Sequence, residues 1–347
     1  MSVLVVGGGP AGSAAALTLL GVGIDVTILE RARFPRYRPG ETLHPGIEPL
    51  LDQLGACSAL RDGDPLRHTG HWVAWHGPER FVPFGADEAG PWHGFQVPRA
   101  RLDAALLATA VRNGARLLVE DAPREVCVDD RRVRGIDVAG DRLHARFTID
   151  CSGDTHWLAR ALGIGFAYHS PRLLARFGYA NGAVASLDRL PLIESDPGGW
   201  TWLAEVERGN FHWTRVTRYE DRPADGWLPP ALRACTPTRT RGADVTWRIA
   251  RRSAGPGWLL AGDAAAVLDP SSSHGVLRAL MTGMMAGHVV RRIVCENADE
   301  ERCTESYRRW LDDWFHGDVA RMAHAYAEAK LFGFDADDGA VGGFTAA

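Results

Sequence analysis

The sequence predicts an α/β protein built on a discontinuous Rossmann-like nucleotide-binding domain, with an inserted β-sheet domain and C-terminal helices. Three observations predict it. An apolar run enters a glycine-rich turn and a helical stretch at the start of the chain. A second buried strand leads to a long helix at 257–294. The chain between them is rich in β-forming and aromatic residues.

The first turn, Val5-Val-Gly-Gly-Gly-Pro-Ala-Gly12, follows the apolar run Val3 to Val6. Gly7, Gly9 and Gly12, with Pro10 and Ala11 between them, have the spacing of a strand-turn-helix junction whose backbone amides and helix N-terminus meet a pyrophosphate. A side chain at Gly9 would block that approach. The next strand, Asp25 to Leu29, ends in Glu30. This acid has the spacing, ~20 residues, of a carboxylate that accepts hydrogen bonds from a ribose.

A loop from Arg31 to Pro45 follows, in which three prolines and Gly40 forbid regular structure and several arginines, Arg31 and Arg38 among them, point toward something anionic. A helix is expected at Gly46 to Leu54, strands at His68 to Phe84, and a helix at Arg99 to Asn113 with Leu102, Leu106 and Val111 apolar. Then come a strand at Arg116 to Glu120 and a meander at Arg124 to Val128, Arg132 to Val138 and Arg142 to Ile149. The meander runs into Asp150-Cys-Ser-Gly153, an acid and a glycine at a strand's end. Residues 172–250 are β-rich. A buried strand, Gly257 to Ala261, precedes Gly262 and Asp263 and a helix at Gly275 to Val294. In the last helix, Glu301 to Leu331, the spacing of Tyr307, Trp310, Leu311 and Trp314 predicts core packing. The Gly-, Asp- and Ala-rich tail is expected to be mobile.

Nucleotide-binding elements at both ends must share one sheet. Residues 1–67, 98–165 and 245–295 are therefore assigned to that domain, 68–97 and 166–244 to the inserted substrate domain, 296–332 to a C-terminal helical segment and 333–347 to a tail.

With 347 residues, 46% apolar and 24% charged, the chain can bury a large core. A net charge of -4 gives no basic excess for nucleic acid or an anionic membrane. The chain starts in its first strand and no apolar run reaches the ~18 residues of a membrane span, so a cytoplasmic protein is expected. Six scattered cysteines without a C-x-x-C pair suggest free thiols and no metal site. Lys330 is the only lysine.

With Gly7 to Gly12, Glu30, Arg99, the Asp150 turn and Gly262-Asp263 placed, nearly the whole chain resembles the FAD-dependent monooxygenases of the p-hydroxybenzoate hydroxylase fold. The segment Gly262-Asp-Ala-Ala-Ala-Val-Leu-Asp-Pro-Ser-Ser-Ser-His-Gly-Val-Leu-Arg-Ala-Leu280 and Pro39-Gly-Glu-Thr-Leu43 look most like the flavoproteins that modify protein tryptophans in tryptophylquinone biogenesis. The chain also resembles flavin-dependent halogenases and geranylgeranyl reductases. The resemblance implies FAD, with Arg99 at the adenine end, Asp263 at the ribityl or pyrophosphate region, Pro270 against the isoalloxazine and the helix from Gly275 aimed at the flavin. It also implies a reductant, either NAD(P)H or a separate flavin reductase, since no second glycine fingerprint is present. Halogenases of the fold resemble one another in a lysine and a Trp-x-Trp-x-Ile-Pro sequence. Here no lysine lies in Thr69 to His76, and Trp200-Thr-Trp-Leu-Ala204 lacks the Ile-Pro, which disfavours halogenation.

A hairpin, Trp200 to Val206 and Phe211 to Thr217 around Arg208-Gly-Asn210, is expected to roof a pocket with Trp200, Trp202 and Trp213, joined by Trp72 from the strand at 69–76. Core packing is the competing reading for each ring. Of His44, His71, His76, His212 and His274, the last sits in the loop facing the flavin and is the first candidate acid or base, with Glu41 second.

The expected activity is oxygen transfer to an electron-rich aromatic group, on a small molecule or a tryptophan side chain of a partner polypeptide. A flavin-dependent reductase or tailoring enzyme acting on an apolar substrate is the alternative. A flavin-binding assembly protein with little turnover is a third reading.

Overall fold

The computed structural model describes residues 2–61, 65–120, 122–138, 140–185, 188 and 190–334; most of the tail lies outside them. The main sheet has six strands in the order Arg116–Val119, Asp25–Glu30, Ser2–Val6, Phe147–Asp150, Trp258–Leu260 and Ala254–Gly255. The first five are parallel and the last is antiparallel. Val3, Val5, Ile28, Ile149 and Leu259 are buried, as strands covered on both faces require.

One cover is the helix pair Pro10–Leu20 and Gly275–Cys295. Their backbones nearly touch: a Cβ on Gly283 would lie 2.1 Å from the Ala11 carbonyl oxygen, and one on Gly287 would lie 2.8 Å from Thr18 Cβ. The start and the far part of the chain are thus locked together.

The expected strand Arg142 to Ile149 is two strands. Asp141–His144 completes the meander with Pro123–Asp129 and Arg132–Val138, and Phe147–Asp150 enters the main sheet. The change happens where the Ala145 amide bonds Arg134 and the Arg146 amide bonds Ser2, so the backbone trades partners between sheets. Val111, expected on the apolar face of helix Arg99–Arg112, is 40% exposed. At about 100° per residue it lies about 140° round from Leu106.

Strands from both inserted stretches form one seven-stranded sheet, ordered Thr236–Asp244, Leu173–Asn181, Asn210–Arg218, Gly199–Glu207, Leu192–Asp196, Gly70–Ala74 and Arg80–Pro83. The last helix, Glu300–Glu328, starts on Asp299, whose carboxylate accepts from the Arg302 amide. It buries Tyr307 and Leu311. No described helix is long and apolar enough to cross a membrane.

Candidate functional site

One cavity of about 390 Å³ runs from the glycine turn to the inserted sheet. At its first end Gly7, Gly9, Pro10 and Ala11 form the wall, and helix Pro10–Leu20 starts there without a side-chain cap. The partial positive charge of that N-terminus is open to an anion. Gly7 has φ +101°, and a Cβ on it would lie 2.4 Å from the Cys151 carbonyl oxygen. Gly12 is not on the wall. It lies behind the turn, where a Cβ would fall 1.9 Å from the Gly7 carbonyl oxygen, so its expected cofactor contact is corrected to a packing role. Gly9 leaves a cradle under Arg36, whose guanidinium is 3.0 Å from a Cβ placed there.

Glu30 is 2% exposed and faces the cavity, accepting from the Gly8 amide at 2.8 Å and the Ala32 amide at 2.9 Å. From it an alternating run of charges crosses the floor. Arg36 lies 3.5 Å from Glu30 and 3.6 Å from Asp103. Arg99 then donates to Asp103 at 2.8 Å and to Glu41 at 2.9 Å. Sequence reasoning singled out neither Arg36 nor Asp103, although Arg99 and Asp103 stand one helical turn apart.

Arg31 and Arg38 also line the cavity. Among the described residues the Arg38 side chain has no hydrogen-bond or ion-pair partner. Burial, then the Arg36 and Arg99 cations, push its pKa down. An unpaired cavity cation beside an uncapped helix N-terminus fits the diphosphate of a dinucleotide such as FAD.

Asp150 is fully buried and off the wall. Its oxygens accept from the Ser152 and Leu158 amides, both at 2.8 Å, which corrects its expected cofactor contact to shaping the turn. That turn presents Gly153, at φ +68°, to the cavity.

At the other end lie Gly262, Asp263, Pro270, Gly275 and Val276. The Gly262 amide donates to Thr282 Oγ1 at 2.9 Å, tying the motif to the long helix. Asp263 lines the cavity and is exposed there, and the protein packed around it raises its pKa. Helix Gly275–Cys295 also begins without a side-chain cap, with open space at Gly275.

The last helix anchors this end. Asp269, 1% exposed, accepts from Ser271 N at 2.9 Å, Trp247 Nε1 at 2.5 Å and Tyr326 Oη at 2.8 Å. Tyr326 in turn accepts from Trp200 Nε1 at 2.8 Å. Arg278 donates to Ser272 at 2.7 Å and pairs with buried Asp318 at 2.9 Å. Tyr326 and Asp318 escaped the sequence reading, and Asp269 and Arg278 entered it only as members of the Gly262 to Leu280 segment, without a role.

Trp202 and Phe177, with Thr214, form the aromatic wall, and Trp200 touches it from the core at 1% exposure. Trp213 does not: it packs on the reverse face of the sheet, 5.4 Å from Trp227. The cause is a β-bulge between Glu205 and Glu207, after which Trp202 pairs with Thr214 and Leu203 with Trp213. One extra residue flips every later side chain to the other face. Trp72 shares the far face, because Trp72 pairs with Leu192 and Leu192 with Leu203. Trp75 takes the near side but stacks on Tyr326 at 5.5 Å.

His274 is corrected as well. It lies off the wall, its ring 5.9 Å from that of His44, and burial lowers its pKa to about 4, so it is neutral near pH 7. His212 is fully buried beneath the wall and neutral for the same reason. Glu41 is on the wall; burial raises its pKa while Arg99 opposes the rise.

A model of the FAD-binding domain family matches residues 1–222. The chain is 30% identical to a tryptophan 2-halogenase from Chondromyces crocatus, covering 90% of this chain and 65% of the halogenase, and so spans about two-thirds of that relative's length. It is 30% identical to a menaquinone reductase from Mycobacterium tuberculosis, covering 83% and 76%. Among solved structures, the flavin-dependent halogenase CmlS superposes with a TM-score of 0.84 at 24% identity, covering 97% of this chain and 66% of that one. The peptidyl tryptophan dihydroxylase QhpG, from tryptophylquinone cofactor biogenesis, superposes with a TM-score of 0.73 at 22% identity, covering 96% and 76%. At these identities the two structures establish the fold.

Proposed function

The chain belongs to the FAD-binding domain family, and from that premise we propose that it is an FAD-dependent monooxygenase acting on an electron-rich aromatic group, with a tryptophan side chain of a partner polypeptide as the favoured substrate. The observation that carries this reading is one continuous cavity joining the glycine turn and Arg38, unpaired among the described residues, at one end to the Trp200, Trp202 and Phe177 wall at the other.

In this reading Gly9, Arg38 and the first helix N-terminus hold the diphosphate, Glu30 and Arg99 the adenosine side, and Asp263 the ribityl region. Bound FAD supplies two-electron chemistry and the activation of dioxygen. The chain's own residues do the rest. Trp200, Trp202 and Phe177 orient a planar ring and exclude water. The small residues Ser273 and Gly275 leave room beside the ring. The N-terminus of helix Gly275–Cys295 stabilises negative charge by ~0.3 to 2 kcal/mol. Glu41, whose pKa burial raises against the pull of Arg99, is a wall group able to hold a proton there; His274 is not. Electrons come from NAD(P)H or a separate flavin reductase.

The apolar wall and the likeness to a menaquinone reductase favour a second reading, reduction of an apolar small molecule. Halogenation finds less support, because Lys330, the only lysine, lies off the cavity wall. Turnover of indole, tryptophan-containing peptides and a prenylated quinone under isotopically labelled dioxygen, with reductant and bromide present, separates the three. Labelled oxygen in the product supports the monooxygenase; a hydrogenated quinone or prenyl substrate with no oxygen uptake, or a brominated indole, replaces it.

A further inference from the structure

Asp269 is the most enclosed carboxylate on the cavity wall. It is 1% exposed, and its three donors, the Ser271 amide, the Trp247 indole and the Tyr326 hydroxyl, are all neutral. A buried carboxylate normally sits against a cation. Arg278, whose charge is felt at Asp269, is itself committed to Asp318 and Ser272.

The ring holding this acid is rigid. Tyr326 is sandwiched between Trp75 and Trp247, each at a centroid distance of 5.5 Å, and its hydroxyl is fixed by the Trp200 indole on the cavity wall. Ser271 N and Trp247 Nε1 can only donate. Tyr326 Oη, already accepting from Trp200, has its own proton to give. Burial raises the pKa of this acid, and the converging donors, which favour the anion, oppose that rise.

We propose that Asp269 is a fixed negative charge, held by Tyr326 from the last helix and Trp247, that lowers the reduction potential of the bound flavin. The chain thereby carries two opposed local fields, since Asp269 disfavours an added electron pair and the N-terminus of helix Gly275–Cys295 favours it. Asp269 and Tyr326 are positioning and tuning residues and take no part in bond making. This inference rests on FAD binding and not on which substrate is oxidised.

The test is the reduction potential of the FAD-loaded protein at pH 7, titrated against reference dyes, for wild type, D269N and Y326F. D269N removes the charge and keeps the shape. We expect a rise of at least tenfold in the reduced-to-oxidised ratio at a given potential, about 30 mV for a two-electron couple. Y326F keeps the acid but takes away one donor, so the carboxylate takes up a proton more readily; a smaller rise in the same direction is expected. A wild-type or lowered potential in D269N overturns the proposal. If D269N does not fold, an unchanged potential in Y326F overturns it. Neither result bears on oxygen transfer, which the isotope experiment decides separately.

Discussion

Gly12 and Gly275 both stand at the head of a helix, yet the space around them is opposite. A Cβ on Gly12 would overlap the Gly7 carbonyl oxygen, whereas nothing lies within 4 Å of one on Gly275. G12A is expected to cost about 3 kcal/mol or more of stability and to abolish FAD loading, because only backbone can move aside. G275A should fold as wild type and change only FAD affinity. Thermal melts and flavin content of the purified variants check both. The aromatic residues separate in the same way. W202F should weaken the perturbation of the bound-flavin spectrum by added indole, and W213F should leave it unchanged while costing less than about 2 kcal/mol. The glycine turn was legible because its spacing encodes how closely backbones approach. The face of Trp213 was not, since it depends on one bulge residue that leaves no mark in the composition of Trp200 to Thr217.

Helices were legible to within a few residues, because a 3.6-residue apolar period and caps such as Asp299 act locally. What the last helix grips was not, because Asp318 with Arg278 and Tyr326 with Asp269 are pairings across 40 and 57 residues. The Arg278–Asp318 pair is nearly buried, at 10% and 7% side-chain exposure. D318A strands a buried guanidinium, and a loss of about 3 kcal/mol in urea unfolding is expected. The loop at Ser272, which Arg278 also holds, should loosen with it. Faster proteolysis near 271–274 would register that; wild-type cleavage would show that the helix is not what fixes the loop.

Among the described residues burial lowers the pKa of several histidines, furthest at His68, His156 and His274, to about 4, and at His212, to about 3. Unfolded, each would titrate near 6.5. Their contribution to stability is therefore complete above that pH and is lost as pH falls toward 4, because the unfolded chain takes up protons that the fold refuses. The melting temperature should fall between pH 7.5 and 5, and H212F should flatten that slope; a melting temperature independent of pH over this range would contradict the burial of these rings.

Contact between the Ala11 and Thr18 stretch and Gly283 and Gly287 sets a condition on synthesis. The opening helix, with Ala11, Ala14 and Ala15 on its buried surface, has no matching groove until translation has passed Gly287. A message broken before Gly275 would therefore yield a product whose first helix stays bare, a standing invitation to chaperones and proteases.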